Sequence, residues 1–296
     1  MRTIEIIAVL LLCFTTSCDK KSEDDETASP SETSDYTGTA SVTQGVASTT
    51  TANLLQQGQR VAGLGSITAS DNTVWTVPAD VNYTENSFPF AADLNNPYGT
   101  QYASAADALT AFNANDIIEI DATGEIITAY IFADNYFELY VNGIPVGKDA
   151  IPFTEFNSHI LKFKVSTPYT IAMKLVDWEE NLGLGSEKQA TAYHPGDGGM
   201  IAVFMDANET VVVSTSDEWK AQTFYTAPIK DLTCPTENGT TRSTANCSTA
   251  DVTDASDFYG LHWEIPSDWT SESFDDSRWS SATIYTSSEL GMDNKP

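Results

Sequence analysis

The sequence predicts an all-β protein, a β-sandwich or jelly roll with one short helix, preceded by a disordered tether. From about Thr68 onward, short runs of β-branched and aromatic residues follow one another at close spacing. Asn142-Gly143 directly follows the run Tyr136–Val141, and this dipeptide is the strongest short signal of a β-hairpin. Because strands do not alternate with helical segments, a parallel α/β sheet is excluded. Short strands with turns between them are typical of two packed antiparallel sheets.

Local residue patterns place the predicted elements in order along the chain. Val74, Trp75 and Val77 open the folded region. Ser104 is predicted to cap the short helix, because Asp107 follows it three residues later. The further predicted strands cover residues 116–120, 125–132, 136–141, 144–146, 161–165, 171–175, 200–204 and 210–213.

The first 17 residues have the layout of a signal peptide. Arg2 gives a positive start, and Ile6–Phe14 is an apolar run too short to span a bilayer. The small residues Thr15–Ser17 then precede Cys18. This pattern resembles the lipobox of bacterial lipoproteins, in which the cysteine is diacylated and becomes the first residue of the mature chain. The resemblance implies lipidation at Cys18; the alternative is an ordinary secretory peptide cleaved nearby.

The segment after Cys18 predicts a flexible tether. From Asp19 to about Ala52 it is rich in Ser, Thr, Asp and Glu and has almost no large apolar residue, so it cannot bury enough surface to fold. Its acidic stretch Ser22–Glu26 resembles a signal that sends some Gram-negative lipoproteins to the cell surface. We therefore expect a signal peptide over residues 1–17, a tether over 18–67 and a β-sandwich over 68–296, exported and lipid-anchored to the outer membrane at the cell surface.

Cysteine usage agrees with export. Cys13 leaves with the signal peptide and Cys18 takes the lipid, which leaves Cys234 and Cys247. In an oxidising compartment these two are expected to form a disulfide that closes a polar loop. A zinc site is a poor alternative, because there is no CxxC motif and the histidines are scattered.

The excess of acidic over basic residues limits which classes of molecule the protein can bind. With 14 Lys and Arg against 42 Asp and Glu, the formal net charge is −28. Such a surface repels phosphate backbones and anionic headgroups, so a nucleic-acid partner is excluded. It suits a neutral ligand, a cation such as calcium, or simple solubility.

Several stretches resemble one known family. Ala133–Gly143 is similar to the central hairpin of galactose-binding-domain-like jelly rolls, modules that accompany many glycoside hydrolases and some adhesins. Gly198–Phe204 resembles their late core strand, Thr215–Lys220 their "TDxSWK" stretch and Phe274–Ala282 their "FDDSxWxxA" stretch. The order is similar to that in the accessory jelly roll ahead of the catalytic barrel of bacterial rhamnosidases. The resemblance covers about Asn115–Ala282 and implies a jelly-roll fold and carbohydrate binding. No catalytic domain follows, so the chain is expected to be truncated at its C-terminus.

Two sets of residues are candidates for binding. A sugar site needs an exposed aromatic ring with hydrogen-bonding side chains beside it, and stretches around a glycine-rich loop have this composition. The candidate ligand residues are Asp177, Trp178, Glu179, Tyr193, His194 and Trp263. The alternative is that these tryptophans pack in the core. Relatives of the resembled fold often hold a structural calcium, and the candidate oxygen ligands are Asp93, Asn95, Asp134 and Asp197. Turn formation explains these Asp and Asn residues equally well.

Catalytic motifs are absent from the sequence. It has no GxSxG, SxxK, P-loop or GxGxxG motif in a suitable context, although distant carboxylates could still pair as in a glycosidase. The predicted function is a non-catalytic surface lipoprotein that binds carbohydrate, with no cofactor other than a structural calcium. The alternatives are a structural or adhesive module with a protein partner, and the accessory part of a longer glycoside hydrolase.

Overall fold

The computed structural model describes residues 35–57, 60–95, 102–111, 116–150, 158–178, 182, 198–247 and 258–286. These residues belong to one unit that begins at Thr33, and they form an all-β fold of several sheets, as the sequence predicts. The elements are β1 (Ser41–Gln44), β2 (Ser48–Gln57), β3 (Arg60–Thr68), β4 (Val74–Val77), β5 (Ala92–Asn95), α1 (Ala105–Ala111), β6 (Ile117–Glu119), β7 (Glu125–Asp134), β8 (Tyr136–Val141), β9 (Ile144–Lys148), β10 (Ser158–Val165), β11 (Ile171–Val176), β12 (Gly199–Met205), β13 (Val211–Ser214), β14 (Lys220–Ala221), β15 (Tyr225–Ile229), β16 (Thr236–Asn238), β17 (Thr241–Ser243), β18 (Tyr259–His262) and β19 (Ser280–Ser281).

Two sheets pack face to face around the main core. One has the order β13-β12-β7-β10-β5, with β6 pairing parallel to β10, and the other has the order β11-β8-β9. Alternate residues of β7 point into the space between them, because successive side chains of a strand point to opposite faces. The core contains Ile127, Ala129, Ile131, Ala133, Phe137, Leu139, Val141, Val146, Leu161, Phe163, Val165, Ala202 and Phe204. The jelly-roll connectivity itself stays a prediction.

The central strand of the smaller sheet is buried on both faces. All six residues of β8 are buried, so Tyr136, Glu138 and Tyr140 are covered on the side away from the main core. The cover includes Trp178, whose ring meets Tyr136 edge-on at 5.7 Å, and Trp269, whose ring meets Tyr140 at 5.3 Å. A third layer therefore lies over this sheet.

The smaller sheets lie outside this sandwich. β2, β3 and β4 form one antiparallel sheet, and β1, β18 and β15 form another. β14 pairs with β19, and β16 pairs with β17. A small core lies around Val77 at the β2-β3-β4 sheet. Another lies around Leu261 at the β1-β18-β15 sheet.

The prediction of a flexible tether that continues to residue 67 is wrong over residues 41–67. β1, β2 and most of β3 lie in that segment, and β1 pairs with β18 from the far end of the chain. Val42 is buried next to Leu261, which supplies the apolar surface that the N-terminal segment itself lacks. Composition alone suggested disorder because it does not register such long-range partners, and Thr-rich segments are good strand formers. The signal peptide, Cys18 and residues 19–34 lie outside the described residues.

Three local predictions are confirmed. Ser104 Oγ accepts a hydrogen bond from the Asp107 backbone N–H at 3.2 Å, which is the predicted helix cap. Asn142 and Gly143 both have positive φ, at 49° and 77°, as a type I′ hairpin turn requires. Cys234 and Cys247 form the predicted disulfide, with their Cα atoms 5.0 Å apart. Among the helical segments that the structure describes, none combines the length and the apolar composition needed to cross a membrane.

Candidate functional site

A pocket opens at a break in the six-stranded sheet. Along one edge of β10, residues 158–160 pair with β5 and residues 162–164 pair with β6, so neither strand continues past Leu161. The gap there, bounded also by α1, encloses about 290 Å³. Its lining consists of Pro89, Phe90, Ala91, Ala92, Tyr102, Ala111, Asp116, Ile118, Val146, Leu161 and Lys162.

The pocket combines an apolar floor with aromatic rings at its rim. Ala91, Val146 and Leu161 are core residues and form the floor. At the rim, the side chain of Phe90 is 52% exposed and that of Tyr102 is 36% exposed. A ligand that presents both apolar and hydrogen-bonding surfaces fits such a lining, because Asp116 and Lys162 add a carboxylate and an ammonium to it.

A buried lysine holds the segment that carries Phe90. Lys148 Nζ donates hydrogen bonds to the backbone carbonyls of Asn82, Tyr83 and Glu85 at 2.7, 2.9 and 2.8 Å. The same ammonium lies 4.5 Å from the centre of the Phe90 ring, close enough for a cation–π contact. Burial lowers the pKa of Lys148, against the opposing effect of nearby carboxylates. The Lys148 ammonium therefore holds the loop that contains these carbonyls and also contacts the exposed Phe90 ring.

Glu138 is the acidic counterpart of this buried cluster. Its carboxylate accepts hydrogen bonds from Asn82 Nδ2 at 3.0 Å and from Tyr140 Oη at 2.7 Å, and it lies 3.3 Å from Lys174 Nζ. Burial by itself would raise the pKa of Glu138, but Lys174 and these hydrogen bonds outweigh burial and lower it. These partners stabilise the buried charge of Glu138, which indicates a structural role for this residue.

A second buried ionic cluster joins β5, β10 and Asp149, the residue after β9, beside the pocket. His159 Nε2 lies 3.1 Å from Asp149 Oδ1 and 3.2 Å from Asp93 Oδ1. Burial by itself would lower the pKa of His159, but the two carboxylates outweigh it and raise that pKa to about 9. His159 and Asp93 are two and one residues away from the lining residues Leu161 and Ala92, so the cluster fixes the strands that shape the pocket.

The predicted calcium ligands do not converge where they are described. Asp93 is engaged with His159, and Asp134 Oδ1 accepts a hydrogen bond from Asn135 Nδ2 at 2.7 Å. Asn95 is the last residue of β5, and Asp197 lies outside the described residues. No group of three or more His, Cys, Asp or Glu side chains in the described part of the chain could hold a metal ion.

The prediction that Trp178 is an exposed stacking surface is wrong. Its side chain is 1% exposed, and Nε1 donates a hydrogen bond to the carbonyl of Gly63 at 3.1 Å. Trp178 therefore joins the outer face of the smaller sheet to the β2-β3-β4 sheet.

The other candidate ligand residues do not form a site with it. Trp263 is 7% exposed, and the Arg242 guanidinium lies 4.3 Å from its ring centre, within the small core beneath the disulfide. Its prediction as a binding residue is therefore also wrong. Asp177 is half-buried, and its carboxylate accepts a hydrogen bond from the Gly198 N–H at 3.3 Å. Glu179, Tyr193 and His194 lie outside the described residues.

Sequence reasoning missed Phe90 and Tyr102, and no local motif marks them. The pocket draws on five separate stretches of chain, so its residues meet only after β5 and β6 have both paired with β10. The one weak signal in the sequence is the pair of aromatic residues in Phe88-Pro89-Phe90, a few residues before Asp93.

Comparisons of the chain with protein-family models, with curated proteins and with solved structures found no match. The likeness to lipoproteins and to galactose-binding-domain-like modules accordingly stays a prediction from the motifs.

Proposed function

We propose that this protein is a non-catalytic, cell-surface lipoprotein that binds carbohydrate in the pocket between α1, β5, β6 and β10. The observation that carries the proposal is the pair of exposed rings, Phe90 and Tyr102, at the rim of a pocket that also contains Asp116 and Lys162. Sugar rings have apolar C–H faces and a periphery of hydroxyl groups. Aromatic rings suit the faces, and charged side chains suit the hydroxyl groups.

The volume of the pocket and its fixed lining favour binding of one or two sugar residues of a glycan. About 290 Å³ is at the lower end of the usual range for ligand sites, so we expect one or two sugar residues to enter. Lys148 Nζ contacts the Phe90 ring at 4.5 Å, and the floor residue Leu161 lies in β10, which is paired with β7, so little order has to be created on binding.

The global charge narrows the class of glycan. At −28 the protein repels strongly anionic polysaccharides, and a neutral glycan avoids that cost. The disulfide between Cys234 and Cys247 supports an oxidising compartment, and the leader supports export with a lipid on Cys18. These features together favour capture of neutral polysaccharide outside the cell.

A glycan array followed by one matched pair of variants tests the proposal. Tyr102→Ala removes a rim ring, and Tyr285→Ala removes an aromatic side chain that is 61% exposed and does not line the pocket. We expect Tyr102→Ala to weaken binding of the array-positive glycan about tenfold, since an aromatic stacking contact contributes about 1–3 kcal/mol. Tyr285→Ala should bind as wild type does. Equal affinity of the Tyr102→Ala variant and wild type, or an array without any bound glycan, would contradict the proposal.

A further inference from the structure

A second aromatic groove lies at the open side of the main sandwich. Among the described strands, β13 ends the six-stranded sheet and β11 ends the three-stranded sheet. The groove beside these two end strands has a volume of about 330 Å³. It is lined by Tyr169, Ile171, Val212, Val213 and Trp219.

Both rings of the groove are anchored on buried rings of the core. Trp219 stacks on Phe204 with an interplanar angle of 26°, and its Nε1 donates a hydrogen bond to the Ser214 carbonyl at 2.9 Å. Tyr169 meets Phe163 edge-on, with ring centres 6.2 Å apart. The orientations of the two groove rings are therefore set before any ligand arrives.

A β-bulge turns a further side chain toward the groove. Phe204 pairs with Val213 and Met205 pairs with Val211, so Val212 is the extra residue of β13 at this point. Bulges of this kind re-aim side chains and are frequent next to binding sites. Val211 and Val212 are similarly exposed, at 50% and 45%, but only Val212 lines the groove.

We propose that this groove is a second carbohydrate subsite, which takes a neutral sugar unit of the same polysaccharide between Trp219 and Tyr169. The inference rests on the proposed function and extends it from one site to two. Two sites on one rigid module raise the affinity for a long polymer well above that for a short oligosaccharide.

The lining argues for a neutral glycan as the occupant. None of the five lining residues is charged, and Tyr169 contributes a phenol that can hydrogen-bond to hydroxyl groups. Burial raises the pKa of that phenol, and the nearby Glu125 carboxylate adds to the effect. Together with the net charge of −28, this disfavours a polyanion, whereas an uncharged polyol meets no such repulsion.

The test compares Val212→Asp with Val211→Asp by affinity electrophoresis. The gels contain xyloglucan, galactomannan, laminarin or mixed-linkage β-glucan as probes. Both substitutions add one carboxylate to the same exposed strand, so they match in charge and in effect on the fold, which a thermal melt verifies. We expect Val212→Asp to lose at least tenfold in affinity for the bound polysaccharide and Val211→Asp to keep wild-type affinity.

The Tyr102→Ala variant separates failure of this subsite from failure of the pocket. If Val212→Asp migrates as wild type does while Tyr102→Ala is no longer retarded, the groove is not a subsite and the pocket stands. If Val212→Asp abolishes retardation while Tyr102→Ala migrates as wild type does, the result supports the groove as a binding site and contradicts binding in the pocket. Binding of a peptide but of none of the four polysaccharides would overturn both.

Discussion

Replacement of Trp178 by alanine distinguishes a packing role from a binding role. The indole is buried, touches Tyr136 edge-on and donates a hydrogen bond to Gly63. Removing a buried tryptophan side chain costs about 3–5 kcal/mol, and the Gly63 carbonyl loses its partner in addition. We therefore expect the free energy of unfolding to fall by about 4 kcal/mol.

The same loss should appear in the thermal melt. For a domain of this size, 1 kcal/mol corresponds to a change in melting temperature of about 2–4 °C, so Trp178→Ala should melt about 8–16 °C below wild type. Trp178→Phe keeps most of the apolar contact and loses the N–H donor, so its effect should be smaller, about 1–3 kcal/mol.

Urea denaturation followed by circular dichroism measures these differences. Tyr285→Ala serves as the control, because its side chain is 61% exposed and its loss should change stability by less than about 0.5 kcal/mol. A Trp178→Ala protein that is as stable as this control, but binds glycan less well, would refute the packing interpretation.

Four further predictions concern pH, the disulfide and the anchor. Burial lowers the pKa of His262 from 6.5 to about 4, so its contribution to stability should be lost as the pH falls from 6.5 toward 4, and His262→Gln should lessen that loss. The pKa of His159 is instead raised to about 9, so its contribution should be lost as the pH rises from 6.5 through 9, and urea titrations of His159→Gln should show a flatter profile there. Cys234→Ser should lower the free energy of unfolding by about 3 kcal/mol, measured against wild type without reductant; no change would argue against a closed loop. Cys18→Ala should abolish the acyl mass on the N-terminal peptide, and a wild-type peptide without acyl groups would exclude the lipoprotein.

Local sequence signals predicted local structure well. The Asn142-Gly143 turn, the Ser104 cap and the Cys234–Cys247 pair each depend on residues that are close in sequence or chemically restricted to one another. Such features need little information from the rest of the chain. The alternation of apolar residues likewise sufficed to recognise most strands of the main sandwich.

Contacts between residues far apart in the sequence explain the predictions that were wrong and the pocket that was not predicted. β1 was mistaken for tether because its buried neighbour Leu261 lies more than two hundred residues away, a distance over which composition carries no information. Trp178 looked like a surface residue because its acidic neighbours suggested exposure, whereas its indole is buried and donates a hydrogen bond to the Gly63 carbonyl on another sheet. The pocket at Phe90 and Tyr102 could not be predicted for the same reason, because it forms only where β5 and β6 both pair along one edge of β10.

The position of a bound glycan tests the central claim most directly. A crystal structure of the protein with an oligosaccharide from its array-positive glycan should show a sugar ring in van der Waals contact, within about 4 Å, of the Phe90 and Tyr102 rings. Hydroxyl groups of that sugar should face Asp116 and Lys162. A complex in which the oligosaccharide is well ordered elsewhere, and the pocket holds no sugar, would contradict the account.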